Sequence, residues 1–330
     1  MQIGMIGLGR MGANLARRLM RHGHDIVAHD ALPAARAALA ADGAVEADTL
    51  TTLVQALSAP RIVWVMLPAG APTEDTIAAL TDHLSPGDIV IDGGNTFYKD
   101  DVRRGHALTQ RGLHYLDVGT SGGVWGLDRG YCLMIGGEAD IVERLDPLFA
   151  ALAPGESAAS ATPGRRSTDA RPAMGYVHVG PAGAGHYAKM IHNGIEYGMM
   201  QALAEGFHLL QAKGEASVPE DERFEIDVAA VAEAWRRGSV VSSWLLDLTA
   251  QALDRDAALT DFSGVVGDSG EGRWTVNAAV EHAVPAPVLT AALYARFRSR
   301  VTDGYADRLL SAMRLAFGGH LETPREEPRG

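Results

Sequence analysis

MQIGMIGLGRMGANLARRLMRHGHDIVAHD, residues 1–30, decides the fold. A short apolar strand runs into a glycine turn, an amphipathic helix and a second strand. Gly7, Gly9 and Gly12 form G-x-G-x-x-G in the setting that gives this motif its meaning. Gly7 permits the tight turn, Gly9 lets a pyrophosphate approach the backbone, and Gly12 lets helix and strand pack closely. The helix start, with the backbone of Leu8, Arg10 and Met11, offers N–H groups and a positive dipole end to phosphates. Leu15, Leu19 and Met20 fall on the inner side of the helix. Asp30 ends the second strand, IVAHD, where a carboxylate grips the adenosine ribose diol. A carboxylate there repels a 2′-phosphate. Ala31 and Leu32 supply no cation, and Arg36 is the nearest one. These residues predict a dinucleotide site that prefers NAD over NADP. A glycine turn without a ligand is the plain alternative for the motif alone, and Asp30 in register weighs against it.

The alternation continues outward. RIVWVML (61–67) and DIVIDGG (88–94) have the unbroken apolar character of buried parallel strands. TEDTIAALTDHL (73–84) and residues from about 97 to 111 read as helices. HYLDV (114–118), YCLMIGG (131–137) and YVHVG (176–180) read as further strands. Repeated β-α-β predicts a doubly wound Rossmann sheet with right-handed crossovers. Ligands on such sheets sit outside the carboxyl ends of the strands, which singles out three loops. MLPAG, with Leu67, is expected beside the nicotinamide half. In GGNT, Asn95 offers an amide that both donates and accepts, to cofactor as well as to substrate. In GTSGGVWG, Ser121, Gly122 and Gly123 present a hydroxyl and bare backbone N–H groups to a carboxylate. Each loop is also readable as an ordinary turn.

Residues 153–175 are rich in Ala, Ser, Pro, Gly and Arg and read as an exposed excursion, with Arg165, Arg166 and Arg171 solvated. After the glycine-rich PAGAG, a long helix is expected from near His186 to about Lys213. Helical periodicity follows at about 227–237, 240–254, 275–283, 286–300 and 302–315. The expected organisation is α/β: an N-terminal Rossmann doubly wound sheet over residues 1–180, followed by an all-helical C-terminal domain over residues 181–330.

At 330 residues the chain is long enough for two domains and a sizeable core. A formal net charge of −12 argues against a nucleic-acid binder, which needs a basic surface. It also means that an anionic substrate must be held by a few local cations. The single cysteine, Cys132, excludes an internal disulfide and fits a reducing cytosol; within YCLMIGG it reads as a small buried hydrophobe. The chain enters its first strand without a basic leader, and no apolar run approaches the ~20 residues of a membrane span. A cytoplasmic protein without a membrane segment is expected. The twelve histidines contain no H-E-x-x-H or comparable cluster, so no metal is expected. His22, His24 and His29 lie around a helix end and a strand and read as structural.

KMIHNGIEYG (189–198) poses a sharper question. A helix turns about 100° per residue, so Lys189, His192, Asn193, Glu196 and Tyr197 fall within roughly 140° of arc. Ile191, Gly194, Ile195 and Gly198 lie on the opposite arc. The two glycines cost about 1 kcal/mol each relative to alanine in a helix interior, which predicts close approach of another segment and burial of that face. The polar stripe faces either solvent or a site. Solvent stripes seldom combine a base-capable Lys, an acid-capable Glu, a His and an amide, which favours the site. A lysine near a hydride acceptor takes a hydroxyl proton only when neutral, and a glutamate gives one only when it enters protonated. Together they suggest oxidation followed by a second proton-dependent step.

GLGRMG, DGGNT, GTSGGVWG, GPAGAGHYAKMIHNGIEYGMM, GSVVSSWLLDLT and GEGRWTVNAAVEHAVP together resemble the decarboxylating 6-phosphogluconate dehydrogenase family, from Met1 to about His320. GLGRMG alone is shared by the wider β-hydroxyacid dehydrogenase superfamily, whereas residues 181–200 are highly specific. The length resembles the short bacterial form, which tends to use NAD. The resemblance implies oxidative decarboxylation of 6-phosphogluconate to ribulose 5-phosphate and CO2 with reduction of NAD. It implies Lys189 as the general base at the C3 hydroxyl and Glu196 as the acid that protonates C1 of the enediol. It also implies that Asn95, Ser121, Gly122, Gly123, His192 and Asn193 hold the carboxylate and hydroxyls, and that Tyr197, Arg273 and Arg296 hold the phosphate. No metal is implied, since the lysine can polarise the carbonyl. RLAFGGH resembles the family's end motif. By that match Arg314 and His320 complete a neighbouring subunit's site, which implies a homo-oligomer, dimer or tetramer.

There are departures. Arg273 stands where longer relatives usually carry Lys, and an arginine fork still suits phosphate. Asp30 replaces the polar and basic residues of NADP-using members, and 153–175 is an insertion relative to the long form. The nearest alternative is an NAD-linked, non-decarboxylating dehydrogenase of the 3-hydroxyisobutyrate type. It shares the glycine motif, TSGG and the lysine, but does not require Glu196 with Tyr197 or Arg273, Arg296 and Arg314. The alternative of a different class is a non-catalytic NAD-binding regulator or scaffold.

Overall fold

The computed structural model describes residues 1–302 and 304–318. The chain divides into two units, Met1–His192 and Asn193–Gly330. The strands of the first unit are β1 (Gln2–Ile6), β2 (Asp25–His29), β3 (Val45–Glu46), β4 (Ile62–Val65), β5 (Ile89–Asp92), β6 (His114–Ser121), β7 (Cys132–Gly136) and β8 (Tyr176–Gly180). Between them run α1 (Arg10–Arg21), α2 (Pro33–Ala41), α3 (Leu50–Ala56), α4 (Ala71–Thr81), α5 (Tyr98–Gln110), α6 (Gly126–Arg129), α7 (Ala139–Arg144), α8 (Asp146–Leu152) and α9 (Arg171–Met174). Helix α10 (Ala184–Ala212) begins in the first unit and continues into the second. The second unit adds α11 (Val228–Trp235), α12 (Trp244–Arg255), α13 (Glu271–Glu281), α14 (Pro287–Arg298) and α15 (Tyr305–Gly318).

The eight strands form one sheet in the order β3-β2-β1-β4-β5-β6-β7-β8. Its central strands are apolar at successive positions because both faces are covered. On one face Ile3, Met5, Trp64, Ile89 and Ile91 pack with Leu15 and Leu19 of α1 and Phe149 of α8. On the other Ile6, Val63, Val65 and Val90 pack with Leu53 of α3 and Ile77 and Leu80 of α4. Each such side chain contributes about 1.5–3 kcal/mol on burial.

The pairing is parallel from β3 to β6, as the β-α-β alternation predicts. β7 breaks the pattern and runs antiparallel to β6, with Asp117 opposite Gly136 and Ser121 opposite Cys132. The link between them is too short for a parallel crossover, which needs a dozen or more residues. β8 then pairs parallel with β7 after the longer connection through α7, α8 and α9.

The same geometry corrects the reading of Cys132, which is exposed. Tyr131 and Leu133 take the buried positions on either side, so the period-two alternation turns Cys132 to the opposite face. The excursion beyond Gly155 is exposed, and its base is tied by Gly155 N–H donating to Met174 O at 2.9 Å. Arg171 departs from the solvated reading. It is half-buried and donates to both carboxylate oxygens of Asp146, each at 2.8 Å, because it opens α9 beside α8. His22, His24 and His29 are structural: His22 and His29 hydrogen-bond the carbonyls of Arg18 and Ala47, and buried His24 meets the chain's own amino group.

In the second unit, Phe207, Ala232, Leu246 and Leu253 form a small core between α10, α11 and α12. Helix α12 starts at Trp244, later than the expected 240, because the Ser243 hydroxyl caps it by accepting from Leu246 N. Among the described residues no helix is long and apolar enough to cross a membrane.

Candidate active site

The glycine loop is shaped as its spacing requires. Gly7 has φ +88°, and a Cβ on Gly12 would overlap the Gly7 carbonyl oxygen. Around Gly9 there is nothing within 4 Å of a Cβ position, so this glycine leaves open space. Gly9 caps α1 without a side chain, so the N–H groups of the first turn at Arg10, Met11 and Gly12 have no intrahelical partner. Together these features fit a pyrophosphate cradle. Asp30 accepts from Leu8 N at 2.7 Å and from Leu32 N at 2.8 Å, which fixes its carboxylate beside the loop. A carboxylate has about four lone-pair sites, so acceptor capacity remains for a ribose diol. Arg36 donates to the Asp30 carbonyl oxygen at 2.8 Å and to Glu46 at 3.0 Å.

The loop after β5 is held from below. Asp92 accepts from Gly94 N at 3.0 Å and from the Thr96 hydroxyl at 3.0 Å. Asn95, between these anchors, is exposed. Leu67 is half-buried, and a Cβ on Gly94 would come within 2.7 Å of its carbonyl oxygen, so the two loops touch through backbone. Ser121 ends β6, and its Oγ lies 3.2 Å from His192 Nε2. Gly122 and Gly123 follow with φ +140° and +54°, conformations that favour glycine.

The first turns of α10 are pinned to the sheet. The Asp117 carboxylate accepts from Gly183 N at 2.6 Å and from His186 N at 2.7 Å, which satisfies the helix start. Gly119 has no Cβ to overlap that of Lys189, so Lys189 seats directly on β6 and is 8% exposed. The exposed Cys132 thiol lies close enough to feel the Lys189 charge; burial by neighbouring atoms pushes it up and that charge opposes the push.

A buried charged cluster backs this frame: Asp92, Asp101, Arg104, Tyr115 and His186. His186 Nδ1 lies 2.8 Å from Asp101. Burial alone depresses a histidine, but the Asp101 carboxylate outweighs it, helped by Asp92 and Asp117, and the ring is pushed up to about 9. Burial pushes the Asp92 carboxyl up against the pull of His186. Burial pushes the Asp101 carboxyl up, but His186, the Tyr115 hydroxyl and Arg104 together hold it below its ordinary value. None of these residues was singled out as a functional residue from sequence, yet a signal existed. Asp92 and Asp117 are acids inside otherwise apolar strands, and a buried acid needs a partner.

Asn193 and Glu196 of α10 are half-buried, and Tyr197 is buried with its hydroxyl lacking a hydrogen-bond partner among the described residues. The Arg296 guanidinium lies 3.4 Å above the Tyr197 ring centre and donates to the Gly267 carbonyl. The ring fits because Gly272 has no Cβ, which would lie 2.5 Å from Tyr197 Cε2. Arg273 stacks 4.5 Å from the Phe297 ring centre and forks onto Asp268 at 2.8 and 3.2 Å. Arg273 and Arg300 hold the Asp268 carboxyl well below the usual range. Tyr197 and Arg296 are thus brought together, with Arg273 one residue past Gly272. Arg314 is exposed on α15, and no contact joins it to this group among the described residues. His320 lies outside the described residues. Ile195 is 50% exposed, which corrects the expectation of a wholly buried glycine face: Gly194 and Gly198 are buried, and Ile195 between them turns outward.

Comparisons with known proteins agree with this picture. Residues 2–161 match the NAD binding domain of 6-phosphogluconate dehydrogenase, and residues 185–309 match the 6-phosphogluconate dehydrogenase C-terminal domain. The chain is 40% identical over 321 residues to an NAD(+)-dependent, decarboxylating 6-phosphogluconate dehydrogenase of Haloferax volcanii, covering 97% of this chain and 98% of that protein. It is 34% identical over 312 residues to an NADP(+)-dependent, decarboxylating enzyme of Bacillus subtilis, covering 92% of this chain and 62% of that longer protein. Among solved structures, Plasmodium falciparum 6-phosphogluconate dehydrogenase superposes with a TM-score of 0.74 at 28% identity, over 99% of this chain and 67% of that one. Two matched domains that together span most of the sequence, on a mixed sheet with the cradle and pinned lysine described above, place the chain in the 6-phosphogluconate dehydrogenase family.

Proposed function

We propose that this chain oxidises and decarboxylates 6-phosphogluconate to ribulose 5-phosphate and CO2, with reduction of NAD. The observation that carries the reading is Lys189, buried over the carboxyl end of β6 and followed along one continuous helix by His192, Asn193, Glu196 and Tyr197. Bound on the glycine loop by Gly7, Leu8, Gly9, Arg10, Met11 and Gly12, NAD supplies the hydride acceptor. Lys189 takes the proton of the C3 hydroxyl and, as an ammonium, polarises the ketone that results. That ketone lies β to the carboxylate, so CO2 leaves and an enediol remains. Glu196 delivers a proton to C1. Asn95, Ser121, Gly122, Gly123, His192 and Asn193 orient the carboxylate and hydroxyls. Tyr197, Arg273 and Arg296 hold the phosphate, which suits a net-acidic chain that must concentrate its cations locally.

Preference for NAD over NADP rests on Asp30, with Arg36 already engaged by the Asp30 carbonyl and Glu46. Residues 1–180 serve as the cofactor domain and 181–330 as the substrate and oligomerisation domain of a cytoplasmic homo-oligomer. Arg314 and His320 reach the site of a neighbouring copy in that assembly. Incubation with 6-phosphogluconate and each cofactor, following NADH or NADPH and released CO2, tests the reading. Turnover of 3-hydroxyisobutyrate without CO2 overturns the decarboxylating assignment, and faster turnover with NADP overturns the cofactor preference. Light scattering that finds a monomer removes the shared site.

A further inference from the structure

Behind the carboxyl ends of β5 and β6 lies a charged cluster that the reaction derived above leaves unused. Asp92, Asp101 and His186 are each at most 1% exposed. His186 Nδ1 lies 2.8 Å from Asp101 Oδ2 and 3.0 Å from Thr96 Oγ1, and Thr96 donates to Asp92 Oδ2 at 3.0 Å. One side of the cluster is therefore the loop that presents Asn95. The other is the first turn of α10, three residues before Lys189. The donor atoms converge within 4.8 Å, the spacing of a small metal site. Arg104 Nη1, however, sits 3.2 Å from Asp92 and 3.4 Å from Asp101 and already brings the positive charge that a cation would supply. Replacing buried ion clusters by apolar packing is often neutral or stabilising, so stability alone is a weak reason for this one.

We propose that His186 is a positioning residue for the reaction: tied to Asp101 and Thr96, it locks the loop bearing Asn95 to α10 and sets its imidazole one helical turn from Lys189. The inference rests on Lys189 being the base. Residues three apart share a helix face. Asp101 keeps the His186 ring cationic at neutral pH. A positive neighbour disfavours the ammonium form of a lysine, so the amine is ready to accept a proton at lower pH. The ring's Nε2 is buried without a hydrogen-bond partner among the described residues. The charged and titratable groups of the cluster around the ring are Asp92 of β5, Asp101 and Arg104 of α5, and Tyr115 and Asp117 of β6; Lys189 stands three residues along the same helix, with Cys132 of β7 beside it.

The test is the pH dependence of kcat/KM for 6-phosphogluconate with NAD in the full-length enzyme. His186→Asn keeps a neutral donor near the position of Nδ1. It should move the acid limb up by about one pH unit or more, with a roughly tenfold loss at pH 6.5 that recovers at alkaline pH. The Kd for NAD should change by less than about twofold. Adding Asp101→Asn removes the opposing charge and returns the limb toward wild type. An equal loss at every pH, or an unmoved limb, overturns the proposal. If His186→Asn does not fold, ring 15N spectra of the wild-type enzyme decide: a doubly protonated His186 at pH 7.5 supports it, and a neutral ring overturns it. A wild-type enzyme inactive on 6-phosphogluconate removes the functional reading itself, an outcome distinct from an active enzyme whose limb stays put.

Discussion

Helix α10 is gripped in two different ways along its length. Up to His192 it meets the sheet backbone to backbone: a Cβ on Gly185 would lie 2.5 Å from the carbonyl oxygens of Asp117 and Met134 and 2.7 Å from Gly136 N. Beyond Asn193 its glycines meet side chains, Gly194 the Thr275 methyl and Gly198 the tip of Leu289. Backbone cannot step aside, whereas side chains can. The cores repeat the contrast. The first unit has two extended buried clusters, one on each face of its sheet. In the second unit the buried clusters are small, and Val280, Val288 and Tyr294 are each more than half exposed. The lesson is one of support. Contacts within the first unit fix the lysine, while Glu196 and Tyr197 lie where the helix's glycines face side chains rather than backbone.

The largest expected effect tests the fixed end. Lys189→Met removes the proposed base and should lower kcat by ~10³-fold or more, with NAD binding measured calorimetrically nearly unchanged. Loss of NAD binding in that variant would mean that the frame, not the amine, had failed. Glu196→Gln should cost less, ~10²-fold in overall turnover. Single-turnover traces should show NADH forming ahead of the protonated product. Next comes Gly185→Ala, which sets a methyl against two carbonyls and should destabilise the first unit by ~3 kcal/mol, read as a lowered melting temperature.

The same divide explains what was legible in the sequence. The glycine loop, Asp30 and the α10 stripe are local patterns, and local patterns survive in sequence. The antiparallel turn of β7 was missed because strand direction depends on the length of the link from Ser121 rather than on the composition of YCLMIGG. Helix α2 was missed because PAARAALAA is too uniformly alanine to show a periodic face, and α3 because the seven residues of LTTLVQA make only about two turns. The cluster of Asp92, Asp101 and His186 was missed because its members lie on three separate segments and meet only through the fold. Cys132 was misread because alternation, not residue type, decides its face.

The smallest effects sharpen the comparison most, because they ask whether the second half of α10 yields. At Gly194 an added Cβ would lie 2.6 Å from Thr275 Cγ2, and that threonine is 3% exposed with its hydroxyl committed to the Glu271 carbonyl. The β-branched side chain has little freedom in a helix, so Gly194→Ala should cost ~1 kcal/mol after the gain from helix propensity. At Gly198 the nearest atom is Leu289 Cδ2 at 3.3 Å, the end of a chain that can rotate away. Gly198→Ala should therefore be neutral or stabilise by up to ~1 kcal/mol. The sign is what matters. If Gly198→Ala lowers the melting temperature as far as Gly185→Ala does, then both ends of α10 are held equally tightly. The surroundings of Glu196 and Tyr197 would then no longer distinguish the proposed acid from the proposed base.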